Sequence, residues 1–169
     1  MQHDYFQLLV QAAQRGRKNS FIDLCELNAK KIFTLCVRML TNETLAHHIS
    51  VKIYLQAWEN IQFVRADTAF EVWLRSIAIY TILEEIRTKK LSEELKLTSE
   101  EIPPATNDPL EKILLHLPEI ERAIYILHEM EGYTYSEITD FFTNYDEQEI
   151  KSSVRNIRRK IAMELKNEL

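Results

Sequence analysis

Residues 114–138 read LLHLPEIERAIYILHEMEGYTYSEI, and the basic stretch 150–161, IKSSVRNIRRKI, follows after a short polar joint. Pro118 suits the first turn of a helix, and Gly132 suits the position just after its end. Thr134 stands three residues before a glutamate, which is the spacing of a capping box at the start of another helix. The sequence therefore predicts two capped helices followed by a basic one, with the last two forming a helix-turn-helix.

The basic stretch has one apolar face. Its apolar residues recur at intervals of four, three and four, as on the buried side of a helix, and they are Ile150, Val154, Ile157 and Ile161. Five hydrogen-bond donors remain on the outward side, namely Lys151, Ser152, Arg155, Arg158 and Arg159. The second helix of a helix-turn-helix enters the major groove, where donors reach bases and phosphates. We predict that these five residues bind DNA; the alternative is a basic face that is merely solvated.

The composition indicates an all-α fold. Gly16 and Gly132 are the only glycines in 169 residues, and strand-rich folds need turn residues at short intervals. The formal net charge is -5, and residues 111–169 carry 8 basic and 12 acidic side chains. Five of those basic side chains lie within 151–160 without one acid between them. The average charge therefore hides a basic helix in an acidic protein.

Four segments with helical periodicity precede residue 91 and predict a small helical bundle. The first covers Asp4 to Gln14, Asn42 can cap the third, and the fourth begins after Asp67. A run of acids and the pair Pro103-Pro104 then interrupt the pattern. We predict two small helical domains joined by an acidic linker. Their ranges are 1–91 for the first domain, 92–108 for the linker and 109–169 for the second domain.

Aromatic residues crowd one part of the first domain. They are Trp58, Phe63, Phe70, Trp73 and Tyr80, and the cations of the same region are Arg65, Arg75, Arg87, Lys89 and Lys90. Aromatic faces beside cations suit the unstacked bases of a single strand. Trp58, Phe70 and Trp73 can equally be core residues, and Tyr80 is the better candidate for an exposed ring.

Neither an enzyme nor a metal protein is indicated. The sequence has no Gly-rich phosphate loop and no recognisable set of nucleophile and base, so we expect no catalysis and no cofactor. His47 and His48 point about 100° apart on a helix and lack further ligands. Cys25 and Cys36 are too far apart on one helix to form a disulfide. Unpaired thiols and the lack of a long apolar run predict a soluble, cytoplasmic protein.

The order of these parts resembles the extracytoplasmic-function (ECF) sigma factors of bacterial RNA polymerase. The matching stretches are residues 40–58, ending in QAW, residues 70–78, FEVWLRSIA, the acidic linker, and LPEIERA and EGYTYSEI within 117–138. The resemblance covers nearly the whole chain. It implies a non-catalytic initiation factor without membrane insertion, whose partners are promoter DNA and the beta-prime clamp helices of core RNA polymerase. Family members are often held inactive by an anti-sigma protein, which is a further partner that the resemblance implies.

The resemblance also implies two sets of site residues in the first domain. Ile49, Ile53, Tyr54 and Gln56 occupy the core-binding helix. Arg75, Tyr80, Arg87, Lys89 and Lys90 lie where the family contacts the opened minus-ten strand. In the second domain, the basic helix defined above would then read the minus-thirty-five duplex.

The chain departs from the family pattern at three places. His48, Val51 and Lys52 stand on the core-binding helix, and Ile79-Tyr80 stands in the strand-opening region. Thr143-Asn144-Tyr145 replaces the usual glycine of the helix-turn-helix joint, where Asn144 tolerates the left-handed conformation better than most residues. Two alternatives follow: a sigma-like interaction protein that has lost promoter opening, and a dimeric helix-turn-helix repressor.

Overall fold

The computed structural model describes residues 2–97 and 106–168, with side chains from 5 to 97 and from 106 to 166. Regular structure within these ranges is helical throughout, so the predicted all-α fold is confirmed. The helices are α1 (Gln2–Gln14), α2 (Lys18–Leu40), α3 (Glu43–Asn60), α4 (Phe70–Thr88), α5 (Lys90–Glu94), α6 (Pro109–His116), α7 (Glu119–Tyr125), α8 (Tyr135–Phe141) and α9 (Glu147–Glu168). A 3-10 turn follows α3 at Ile61–Phe63, and a π-helical turn extends α7 at Ile126–Met130.

The chain divides into two compact units. Unit 1 comprises residues 1–37 and 42–100, and unit 2 comprises residues 38–41 and 101–169. Residues 98–105 of the predicted linker lie outside the described ranges, so the linker boundaries stay a prediction. No helix in the described ranges is both long and apolar enough to span a membrane.

Unit 1 has a core built mainly from α2, α3 and α4. Leu24, Ile49 and Leu74 are fully buried there, one from each helix. Phe21 packs against Trp58 with ring centroids 5.1 Å apart and meets Phe70 edge-on at 6.5 Å. Buried side chains of this size stabilise a fold by roughly 1.5–3 kcal/mol each, so apolar burial is the main force that holds these helices together.

Two caps predicted for unit 1 are confirmed. Asn42 precedes α3 and its Oδ1 accepts a hydrogen bond from the backbone N–H of Leu45 at 2.7 Å. Gly16 follows α1 with φ +84°, a left-handed conformation that residues with a Cβ rarely adopt. The ends of α1 and α3 are therefore fixed by their local sequence.

The sequence pattern predicts no helix at residues 92–94, and that prediction is wrong. They form the second half of α5, because the buried carboxylate of Glu85 accepts hydrogen bonds from the N–H of Leu91 at 3.0 Å and of Ser92 at 2.9 Å. The Ser92 hydroxyl donates to the same carboxylate at 2.6 Å. A side chain of α4 thus caps α5 from seven residues away, which a reading of adjacent residues does not detect.

Unit 2 follows the predicted pattern closely. Asp108 caps α6, where Pro109 takes the first helical position, and Thr134 forms a complete capping box with Glu137 at α8. Gly132 has φ +78° where the chain turns between helices. The core includes Ile113, Leu114, Leu117, Tyr125, Ile157 and Ile161. Helices α6 to α9 are therefore a four-helix unit that ends in a helix-turn-helix.

Candidate nucleic-acid interface

The helix-turn-helix consists of α8, a short joint and α9. Asp146 and Glu149 cap α9 reciprocally, since each side chain accepts from the other residue's backbone N–H at 2.8 Å. Asn144 does not use the left-handed conformation that it tolerates, because no residue of the joint has a positive φ. The N–H of Tyr145 bonds to the carbonyl of Phe142 at 2.9 Å, which closes the turn without a glycine.

The two predicted faces of α9 are present. Ile150, Val154, Ile157 and Ile161 are buried. Lys151, Ser152, Arg155, Arg158 and Arg159 are all exposed. The helix therefore presents a row of donors to solvent from a rigid, well-packed scaffold.

The exposed cations of α9 fall into two classes. Glu129 of the π-helical turn accepts hydrogen bonds from Nε of Arg158 at 3.1 Å and from its Nη2 at 2.5 Å, and it raises the pKa of Arg158. Lys160 pairs with Glu121 at 3.0 Å. In the described part of the chain, no carboxylate pairs with Arg155 or Arg159. The centre of the outward face thus keeps its positive charge, whereas the flanking cations are partly neutralised.

Two polar residues that we had not singled out lie on the same outward face. Gln148 and Asn156 are exposed, and together with Ser152, Arg155 and Arg159 they follow the spacing of one side of a helix. Side-chain amides can make paired hydrogen bonds to adenine in the major groove. The missed signal was the four-residue spacing from Gln148 to Ser152 and from Ser152 to Asn156.

The π-helical turn ties α7 to the start of α8. Its hydrogen bond runs from the N–H of Glu131 to the carbonyl of Ile126, five residues back, at 3.0 Å. His128 stacks on Tyr135 with ring centroids 4.2 Å apart, and its Nδ1 lies 2.8 Å from the carbonyl of Tyr133. A carbonyl cannot donate, so Nδ1 carries the proton. These contacts fix the π-helical turn, which places Glu129 beside α9. Simple helical periodicity does not predict such a turn.

Unit 1 carries an open groove of about 570 Å³ between α3, the 3-10 turn and α4. Phe63, Trp73, Ile77 and Tyr80 supply its apolar surface. Phe63 is 73% exposed and Tyr80 is 70% exposed, so the prediction of an exposed ring at Tyr80 is confirmed. Phe70 is buried and Trp58 packs on Phe21, so these two belong to the core.

The residues predicted to meet the minus-ten strand do not form one cluster. Tyr80 and Arg87 both line the groove. Arg75 lies about 140° around α4 from Tyr80, at 100° per residue, and pairs with Glu71 at 3.3 Å. Lys89 and Lys90 follow the end of α4, where Lys89 has φ +53°. Charges at the groove are mixed, because Glu59, Glu84 and Arg87 all line it.

The core-binding set needs a correction. Ile49 and Ile53 are both 0% exposed, so their side chains pack in the core of unit 1 and cannot meet a partner. The hydroxyl of Tyr54 is buried without a hydrogen-bond partner among the described residues, and burial raises the pKa of Tyr54. Gln56 accepts from the hydroxyl of Thr81 at 2.5 Å and lines the groove. The assignments of Ile49 and Ile53 are wrong because position in the sequence does not say which side of the helix is buried.

A different strip of α3 faces solvent. Val51 is 47% exposed and Leu55 is 60% exposed, one turn apart. His48 is exposed beside them, and Lys52 pairs with Glu84 at 3.1 Å. Ile79, the other departure from the family pattern, is buried, so it changes the core and not the surface. The surface that α3 offers to a partner is therefore apolar at its centre and polar around it.

Metal and thiol chemistry find no support in the described ranges. No group of three His, Cys, Asp or Glu side chains there could hold a metal ion. Burial raises the pKa of the Cys36 thiol to about 11, and burial together with Glu26 raises that of Cys25 to about 12. Both thiols are therefore protonated near neutral pH and are poor nucleophiles.

Comparison with known proteins matches this geometry to one family. Residues 107–140 match the family model of sigma-70 region 4. Over 81 residues the chain is 31% identical to the ECF RNA polymerase sigma factor SigW of Bacillus subtilis, covering 48% of this chain and 43% of SigW. In sequence and in fold, the chain is therefore similar to ECF sigma factors.

A second curated relative is the RNA polymerase sigma-H factor of Pseudomonas aeruginosa. It is 35% identical over 75 residues, which cover 44% of this chain and 39% of the relative. The matches to both curated relatives thus span about two fifths of their length. In this chain the region 4 match includes α6 and α7 but stops before α9, so the DNA contacts of α9 stay a prediction from its geometry.

Two solved structures share the fold of this chain. One is the sigma factor RpoE in complex with the anti-sigma factor NepR from Bartonella quintana, with a TM-score of 0.59, 19% identity, and coverage of 86% of this chain and 96% of that chain. The other is CnrH in complex with the cytosolic domain of CnrY, with a TM-score of 0.59, 15% identity, and coverage of 98% and 99%. Their likeness extends over both units.

Proposed function

We propose that this chain binds core RNA polymerase and directs it to specific promoters, reading duplex DNA with unit 2 and an opened strand with unit 1. It acts in the cytoplasm, where the polymerase works, and catalyses no reaction itself. The observation that carries the proposal is the helix-turn-helix of unit 2, whose cationic outward face directly follows a region 4 match.

The duplex contact is assigned to the outward face of α9. Ser152, Arg155 and Arg159 are exposed on it, and the two arginines are not paired with carboxylates in the described ranges. An arginine can donate two hydrogen bonds to guanine or hold a phosphate. We assign base contacts to the leading turns of the helix, as in other helix-turn-helix proteins.

The strand contact is assigned to the groove of unit 1. The exposed rings of Phe63 and Tyr80 offer flat faces to unstacked bases, and Arg87 lies beside them to meet a phosphate. Stacking on such rings contributes about 1–3 kcal/mol per base and tolerates different base sequences. This assignment keeps Tyr80 and Arg87 from the minus-ten set and adds Phe63. Lys89 and Lys90, which follow the end of α4, would meet the flanking phosphates.

The polymerase contact is assigned to the exposed strip of α3. Val51 and Leu55 are apolar side chains exposed to solvent. Protein interfaces commonly have an apolar centre and a polar rim, and this strip has the same arrangement. The structures of RpoE with NepR and of CnrH with CnrY add an inhibitory partner to the proposal. An anti-sigma protein that covers this strip would compete with the polymerase.

The test is reconstitution of the full chain with core RNA polymerase, followed by run-off transcription from genomic DNA. We expect a stable complex and discrete promoter-dependent transcripts. Leu55→Asp should lower the affinity for core polymerase about tenfold or more, as for a hot-spot residue. Val72→Asp, an equally exposed apolar position on α4, is the matched control. Failure of the wild-type chain to bind core polymerase would contradict the proposal.

The same experiment separates the alternatives. A sigma-like interaction protein would bind core polymerase but would leave promoter thymines unreactive to permanganate. A helix-turn-helix repressor would bind a palindrome as a dimer without the polymerase.

A further inference from the structure

Gln14, the last residue of α1, reaches a turn that lies far from it in the sequence. Its side-chain Nε2 donates to the carbonyl of Ile61 at 3.1 Å and to the carbonyl of Val64 at 3.0 Å. Both acceptors are carbonyl oxygens, which cannot donate, so only an amide NH₂ with its two hydrogens satisfies them together. The side chain therefore joins both ends of the 3-10 turn to α1.

The connection is reciprocal and extends along the chain. The side chain of Gln62 donates to the backbone carbonyl of Gln14, one of the last carbonyls of α1, which have no partner within the helix. The side chain of Gln7 donates to the carbonyl of Ala66 at 3.2 Å. Three glutamines thus fasten residues 61–66 to α1, and we call these bonds the glutamine clamp.

The clamped turn carries one side chain in an unusual position. Ile61 and Val64 point into the core, whereas Phe63 between them is 73% exposed and lines the groove beside Trp73 and Tyr80. Anchors on both sides leave the backbone of the turn little freedom. A ring that is already fixed loses less conformational entropy on binding than a mobile one, so clamping increases affinity without adding a contact.

We infer that Gln14 is a positioning residue for strand binding: its amide holds the turn so that Phe63 is presented to an unstacked base in the groove. The inference rests on the strand-binding role proposed above for unit 1. Helix α1 then controls the affinity for the opened strand, although it does not carry Phe63. No contact between Gln14 and DNA is required.

The first experiment measures the clamp without DNA. Gln14→Met keeps the length of the side chain and removes both donors, and Gln14→Glu places an anion against two carbonyl oxygens. Gln11→Met, one turn earlier on α1 and exposed, is the matched control. Hydrogen exchange of peptides that cover residues 61–69 should be about tenfold faster in Gln14→Met, faster still in Gln14→Glu and unchanged in Gln11→Met. Melting curves confirm that each variant is folded.

The second experiment measures binding of the full chain to a fluorescein-labelled, 15-nucleotide DNA strand of mixed sequence. Gln14→Met should weaken binding about five- to tenfold, and Phe63→Ala should weaken it at least as much. If Gln14 acts through Phe63, adding Gln14→Met to Phe63→Ala should change the affinity by less than twofold. Affinity for a mixed-sequence duplex should be the same in all of these proteins.

The outcomes separate the inference from the function on which it rests. Unchanged exchange of residues 61–69 in both Gln14 variants overturns the clamp. Equal losses from Gln14→Met with and without Phe63 overturn its action through that ring. If Phe63→Ala binds the strand as tightly as the wild type, the proposed groove function fails, and the inference fails with it. The exchange measurement then still reports whether the clamp itself exists.

Discussion

The two units of this protein present opposite chemistry to solvent. Unit 2 offers a helix face with the uncompensated cations Arg155 and Arg159, whereas unit 1 offers the rings of Phe63 and Tyr80 in a groove of mixed charge. A cationic helix is complementary to the phosphates and groove edges of duplex DNA. Exposed rings are complementary to bases that have left the stack. In the proposed function, each unit therefore meets a different state of the same promoter.

The supporting structure differs in the same way. The helix caps of unit 2 join residues that are close together in the sequence, such as Thr134 with Glu137 and Asp146 with Glu149. Unit 1 also depends on bonds between distant residues, as in the glutamine clamp. The start of helix α9 is therefore fixed by the local sequence, whereas the groove of unit 1 is formed by tertiary packing.

Charge reversal on α9 should have the largest effect. We expect Arg155→Glu with Arg159→Glu to weaken binding to the upstream duplex by about 100-fold or more, since each contact contributes about 1–3 kcal/mol and reversal adds repulsion. Fluorescence anisotropy with duplex and single-stranded probes measures both affinities. Strand binding should change little. Lys166→Glu changes an exposed cation near the end of the same helix and is the control. An equal loss of duplex affinity in this variant would show that the effect comes from net charge alone.

Removing a ring from the groove should have the next largest effect. Tyr80→Ala is expected to weaken strand binding about 5- to 150-fold, the equivalent of the ~1–3 kcal/mol that stacking of one base contributes. Duplex affinity should stay the same. Tyr5→Ala, another exposed tyrosine of unit 1, is the control. A loss of duplex binding in Tyr80→Ala would remove the distinction between the units.

The cap that Glu85 provides for α5 can be tested by changing the pH. Burial alone would raise the pKa of this carboxyl, but hydrogen bonds from Ser92 and Leu91 outweigh it and lower the pKa. Because the pKa is depressed in the folded protein, the stabilisation is complete above the ordinary glutamate value of about 4.3 and is lost as the pH falls through the folded value. The protection factors of residues 90–94 in hydrogen exchange, which correct for the intrinsic pH dependence of amide exchange, should therefore fall in acid.

A substitution gives the same test at neutral pH. Glu85→Gln should destabilise unit 1 by about 1.5–3 kcal/mol, the contribution of hydrogen bonds to a charged group. Glu84→Gln, exposed on the same helix, is the control in a urea titration. Equal stability of the two variants would show that α5 does not depend on this cap.

The smallest effect is expected at Glu129. Glu129→Gln removes the charge that neutralises Arg158, so duplex affinity should rise about twofold and the salt dependence should steepen by up to about 0.9 in log–log slope if Arg158 then meets a phosphate. Binding measured between 50 and 200 mM salt, roughly the range over which such effects are large, provides the slope. An unchanged slope would place Arg158 outside the interface.

The amino-acid sequence was most informative where structure depends on neighbouring residues. The caps at Asn42 and Thr134 were both predicted from the local sequence, and so was the buried face of α9. The resemblance to ECF sigma factors was also visible in these stretches.

The sequence was least informative where distant residues meet or where a helix must be oriented. Ile49 and Ile53 were assigned to a partner although both are buried, because α3 has apolar residues on two sides. Helix α5 was missed because its cap comes from α4. The pair of Glu129 and Arg158 spans 29 residues, and the clamp bonds of Gln14 span 47 and 50 residues. No local pattern encodes these contacts.

The most direct test is a combined DNase and permanganate footprint of the reconstituted polymerase on one of its promoters. With Tyr80→Ala, we expect the upstream duplex to stay protected while downstream thymines lose reactivity. With Arg155→Glu combined with Arg159→Glu, we expect both the upstream protection and the downstream reactivity to be lost. If the Tyr80 variant loses upstream protection and the α9 variant keeps it, the assignment of the two units to two states of the promoter is wrong.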